Sequence, residues 1–125
     1  MSKTVSLTYD QALEGLQKAV QDRGEGFVYQ EAYPEHRDAC YYFETDGQPA
    51  CIVGHVLHQN GYDGPDPVGD VHRVREVGVL ACDEEAALLL GYAQTFQDRG
   101  SSWGEAVASA VIRAESAFDE PCATS

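Results

Sequence analysis

The chain has 125 residues, 43% hydrophobic and 23% charged, a balance that suits one globular domain over residues 1–125 and excludes wholesale disorder. Eight Lys and Arg stand against 21 Asp and Glu, a net charge of −13. That excludes direct nucleic-acid or anionic-lipid binding, which needs a basic footprint. No apolar run reaches the roughly 18 residues of a membrane span. Met1 to Asp10 carries no apolar signal-peptide core, so the expected location is the cytoplasm, a bacterial host's if the chain is of phage origin.

Thr8-Tyr9-Asp10-Gln11 is a capping-box pattern and predicts a helix start. Leu13, Leu16 and Val20, with Ala12 and Ala19, continue it at helical spacing, and Gly24 is expected to end it in the left-handed conformation. Phe27-Val28-Tyr29 and Ala39 to Glu44 read as two short strands, paired antiparallel across an irregular connection holding Pro34. Pro49 suits the first position of a helix that closes at Gly61. Its apolar residues lie on most sides, which predicts a central, buried helix. Gly54 inside it predicts close approach of another backbone.

Gly61 to Gly69, with three glycines, two prolines and two aspartates, is the clearest loop. Asp70 then caps a short helix over Val71–Glu76, ended by Gly78, and Val79-Leu80-Ala81 reads as a buried connector. Asp83-Glu84-Glu85 places anions where a helix dipole favours them, and that helix runs to Arg99 with Leu88, Leu89, Tyr92, Ala93 and Phe96 on a broad face. Ser102-Trp103-Gly104-Glu105 is a second capping box, with Trp103 in the core and Val107, Ala110, Val111 and Ala114 following. The tail 120–125 is expected to fray. The fold class is therefore α+β and mostly helical: about four main helices around a buried central helix, with a small antiparallel strand pair.

Two segments echo one another. Leu13-Glu14-Gly15-Leu16 followed by Val20 to Gly24 aligns with Leu89-Leu90-Gly91-Tyr92 followed by Phe96 to Gly100. The simplest reading is two helices ended by one rule, a polar last turn and then glycine.

Cys51, His55 and His58 share a helical face and form one candidate metal or thiol site, with Cys82, Cys40 or His36 as a fourth ligand. No C-x-x-C or H-E-x-x-H accompanies them, and the apolar run around Cys51 raises a thiol pKa, so no metal is expected. Phosphate-binding loops, a nucleophile elbow and an EF-hand spacing are all missing from the sequence, so neither an enzyme nor a cofactor is expected. The four cysteines are read as free thiols, with Cys122 exposed in the tail.

The runs Cys51-Ile52-Val53-Gly54-His55-Val56-Leu57-His58 and Gln97-Asp98-Arg99-Gly100-Ser101-Ser102-Trp103-Gly104-Glu105-Ala106-Val107 resemble small acidic accessory proteins of actinobacterial phages and their hosts. The likeness spans about half the chain and carries no catalytic motif. It implies an accessory protein that binds a host protein. The expected function is thus a non-enzymatic, acidic protein-binding module for a cellular partner with a basic surface. Tyr62, Asp63, Asp66 and Asp70 are the expected contacts, because a Gly/Pro-rich loop displays them. Two alternatives are a DNA mimic, whose carboxylates stand in for phosphates, and a metal- or thiol-dependent enzyme built on Cys51, His55 and His58.

Overall fold

The computed structural model describes residues 4–28, 42, 49–62 and 71–119. In chain order the elements are β1 (Val5–Leu7), α1 (Tyr9–Arg23), α2 (Ile52–Gln59), α3 (Val71–Glu76), β2 (Leu80–Cys82), α4 (Glu84–Asp98) and α5 (Trp103–Asp119). Among the described residues no helix is long and apolar enough to cross a membrane.

Helix starts follow the sequence closely. The Thr8 hydroxyl accepts from the Gln11 backbone at 3.2 Å, and the Gln11 side chain accepts from the Thr8 N–H at 2.9 Å, a complete capping box. Asp83 caps α4 by accepting from Ala86 N–H at 2.8 Å. At α5 the Ser102 hydroxyl accepts from Glu105 N–H and donates to the Glu105 carboxylate, both at 3.3 Å. The helix centred on the apolar run begins later than expected. Pro49 is outside it, and Cys51 is the N-cap.

Three helices end in one motif. At Gly61, Gly78 and Gly100, φ lies between 83° and 99°. The residue after each glycine donates to a carbonyl five positions back, at 3.1 to 3.2 Å. These are Schellman closures, which satisfy orphan carbonyls and fold the chain back toward the helix. Gly24 departs from the expected left-handed closure: its φ is 98° but its ψ is 147°, and it donates to Val20 O. The echoing helices α1 and α4 therefore end by different rules.

The strand pair is parallel, not antiparallel. Val5, Ser6 and Leu7 pair with Leu80, Ala81 and Cys82. Each strand leads through one capping residue into a helix fifteen residues long, α1 or α4. A parallel pair needs a crossover, and the helices between the strands supply it. Val79-Leu80-Ala81 is accordingly not a buried connector, since Leu80 and Ala81 lie in β2 with Leu80 buried and Ala81 exposed. Phe27 and Val28 are not in a strand. The turn they belong to completes α5 instead: Glu25 O accepts from Gly104 N–H at 2.9 Å and Phe27 O from Trp103 N–H at 2.8 Å. Tyr29, Ala39 to Tyr41 and Phe43 to Glu44 lie outside the described residues.

One core unites these elements. α4 packs on α1, α2, α3 and α5, and α1 also packs on α2. Ile52 to Leu57 is buried at every position, as a helix apolar on most sides requires. Gly54 meets the Tyr42 carbonyl so closely that a Cβ would collide with it. Trp103 is fully buried, edge-on to Phe27 at 4.7 Å and to His55 at 5.2 Å.

Candidate functional site

The residues with the most chemistry lie on α2. Cys51 is fully buried, and its Sγ accepts from Gly54 N–H at 3.3 Å, so the thiol serves as the helix cap. One turn on, His55 is 7% exposed, and its Nε2 accepts from Arg23 Nε at 3.3 Å. An accepting Nε2 places the imidazole proton on Nδ1. Arg23 also donates to Pro49 O at 3.2 Å and lies 5.1 Å from the centre of the Phe27 ring. Burial first, and the Arg23 guanidinium second, push the His55 pKa down from 6.5 to about 4. An imidazole held neutral, with its lone pair already taken by a guanidinium, has little capacity to accept a proton near neutrality.

His58 is exposed while Cys51 and His55 are buried, so the three candidate ligands do not share one environment. Among the described residues no three His, Cys, Asp or Glu side chains converge to hold a metal ion. Cys82 sits in β2, its thiol pKa raised mainly by burial. Cys40, His36 and Cys122 lie outside the described residues.

The expected contact loop needs a correction. Tyr62 is buried, only 4% exposed. The cause is the closure at Gly61: Tyr62 N–H donates to Leu57 O at 3.1 Å, which turns the tyrosine back into the core that holds Leu57. Asp63, Asp66 and Asp70 lie outside the described residues. No protein-family model matches the chain, and comparison with curated proteins and with solved structures likewise gives no match.

Two buried glutamines on α4 were not anticipated. Gln97 Oε1 accepts from Ile52 N–H at 2.7 Å and so satisfies the first orphan donor of the buried α2. Gln94 Nε2 donates to the Tyr42 hydroxyl at 3.1 Å. Both continue the inward stripe of Ala86, Leu89, Leu90 and Ala93, and that spacing was the available signal.

Two open grooves mark the described surface. One, about 410 Å³, runs between α3 and α4 over Val71, Ala87, Leu88 and Tyr92. Arg75 borders it but is committed to Glu84 and Cys82 O, each at 3.2 Å. The other, about 870 Å³, lies between α1 and α5. Leu13, Val20, Val107 and Val111 line it with Glu25 and Glu105.

Proposed function

We propose that this chain is a non-enzymatic, acidic binding module that acts in the cytoplasm on a cellular protein with a basic surface. The observation that carries the reading is the charge of −13. Asp10, Glu14, Asp22, Glu25, Glu76, Asp83, Glu84, Glu105 and Glu115 are all exposed. Two of the eight cations turn back onto the protein: Arg23 binds His55 and Pro49 O, and Arg75 binds Glu84 and Cys82 O. The outer field is therefore strongly negative, which speeds encounter with a positive surface and repels anionic ones. The resemblance of residues 51–58 and 97–107 to small acidic phage and host accessory proteins forms part of the proposal and implies the same kind of partner. Asp63, Asp66 and Asp70 remain proposed contacts, and Tyr62 does not.

Affinity capture on the immobilised chain, followed by mass spectrometry, tests this. A basic partner should be retained at low salt and released as salt rises from about 0.05 to about 0.5 M, because exposed charges are screened over that range. A specific partner whose retention is indifferent to salt would refute the proposal.

A further inference from the structure

The groove between α1 and α5 has a shape and a charge pattern that select one kind of occupant. The two helices run antiparallel. At one end the turn after α1 caps α5 through Glu25 O and Phe27 O. At the other, the start of α1 meets the end of α5: the Tyr9 hydroxyl is shielded from solvent, and burial together with the Glu115 charge raises its pKa. The floor is apolar, formed by Leu13 and Val20 from α1 and by Val107 and Val111 from α5. Ala108 keeps the α5 wall low, and Gly104 lets the turn at Glu25 pack directly against the start of α5. Ile112, 65% exposed, lies one turn beyond Ala108 and extends the apolar surface outward.

Carboxylates stand at both ends of this floor. Glu25 and Glu105 line one end, while Asp10 and Glu115 lie about one turn beyond Leu13 and Val111, outside the lining but near Tyr9, and all four are exposed. Along α1 the apolar floor runs from Leu13 to Val20, about two helical turns or roughly 11 Å. An apolar trough of that length with acidic ends matches an amphipathic helix whose apolar stripe repeats at i, i+3, i+4 and i+7 and whose flanks carry Lys or Arg. A second copy of this chain fits poorly, since it would set −13 against −13. Resting on the binding-module reading, we propose that the α1–α5 groove docks a basic amphipathic helix of the partner protein.

The probe is a labelled synthetic peptide of about 15 residues, with leucines on that stripe and lysines on its flanks. A peptide of the same composition with the leucines scrambled is the control. Binding is read by fluorescence anisotropy at low salt. The groove variant carries Gln17→Arg and Ala108→Arg, both at exposed helix positions, and melting curves verify its fold. Glu76→Lys on α3 makes an equal change in net charge away from the groove. The proposal expects the patterned peptide to bind, the scrambled one to bind weakly, the groove variant to lose about tenfold or more in affinity, and Glu76→Lys to retain it. Equal binding of both peptides, equal weakening by both charge changes, or no binding at all overturns it. Self-association of the native chain that the groove variant abolishes also overturns it, by making a second copy the occupant. If the partner captured above is still retained by the groove variant, the groove assignment fails while the binding-module reading stands.

Discussion

His55 ties the stability of the fold to pH. Its imidazole is buried and accepts from Arg23, and its pKa is lowered from 6.5 to about 4. In the unfolded chain the ring protonates as pH falls through 6.5, whereas in the folded protein it stays neutral until about 4. The folded state therefore binds fewer protons in that window, and stability falls as the solution is acidified. Above pH 6.5 His55 carries no such penalty. At about 1.4 kcal/mol per pH unit, the loss reaches about 3 kcal/mol by pH 4. Domains are commonly stable by only about 5–15 kcal/mol, so the effect is easily measured. Urea unfolding across this range should give a steep decline for the native chain. His55→Asn keeps an acceptor for Arg23 but cannot titrate, so its curve should be shallower by that amount. The imidazole titration, followed directly by NMR, should have its midpoint near pH 4. In Arg23→Ala the midpoint should rise but stay below 6.5, because burial is the larger cause. A native midpoint near 6.5, or parallel unfolding curves for the native chain and His55→Asn, would refute the reasoning.

Two further predictions concern the seating of α2. Gly54→Ala should destabilise the protein by about 3 kcal/mol in thermal or urea unfolding, because its Cβ meets the Tyr42 carbonyl. The matched change Gly91→Ala, with nothing within 4 Å of the added carbon, should instead stabilise by up to about 1 kcal/mol through helix propensity. If Gly54→Ala stabilised as well, the close approach would be wrong. Gln97→Leu removes the acceptor for Ile52 N–H and should cost about 1–3 kcal/mol in urea unfolding. An unchanged midpoint would mean that α2 finds its cap elsewhere.

Much of the helical skeleton was legible because capping chemistry is local. Thr8 with Gln11, and Ser102 with Glu105, announce helix starts within four residues, and Gly61, Gly78 and Gly100 announce ends. The apolar run Ile52 to Leu57, interrupted only by Gly54 and His55, declared its own burial. The strands were illegible for a related reason. Val5-Ser6-Leu7 alternates buried and exposed, but three residues are too few to separate a strand from chance, and the pairing of Val5 with Leu80 joins distant parts of the chain. Phe27-Val28 has strand-like composition but belongs to the turn that caps a distant helix. Tyr62 was expected at the surface because its neighbours in sequence are glycine, proline and aspartate. Its placement follows from the Gly61 closure, which turns the next residue back toward Leu57 and which local composition does not display. Gln94 and Gln97 were missed because glutamine is ordinarily a surface residue, and only the need to satisfy the buried start of α2 and the Tyr42 hydroxyl brings them inside. For the candidate site, the burial of Cys51 and Trp103 was anticipated. The partnership of His55 with Arg23 was not, because it joins residues on two helices far apart in the sequence.

The pairing of Val5–Leu7 with Leu80–Cys82 also has a consequence for biogenesis. A ribosome adding about 5–20 residues per second needs roughly 4 to 15 seconds to travel from one segment to the other. Throughout that interval the first segment leaves the tunnel without its mate, and its buried Val5 and Leu7 have nothing to lie beneath. Final assembly is thus deferred until most of the polypeptide has emerged. Nascent chains stalled before Leu80 should be digested readily by added protease, and those released beyond α5 should resist it.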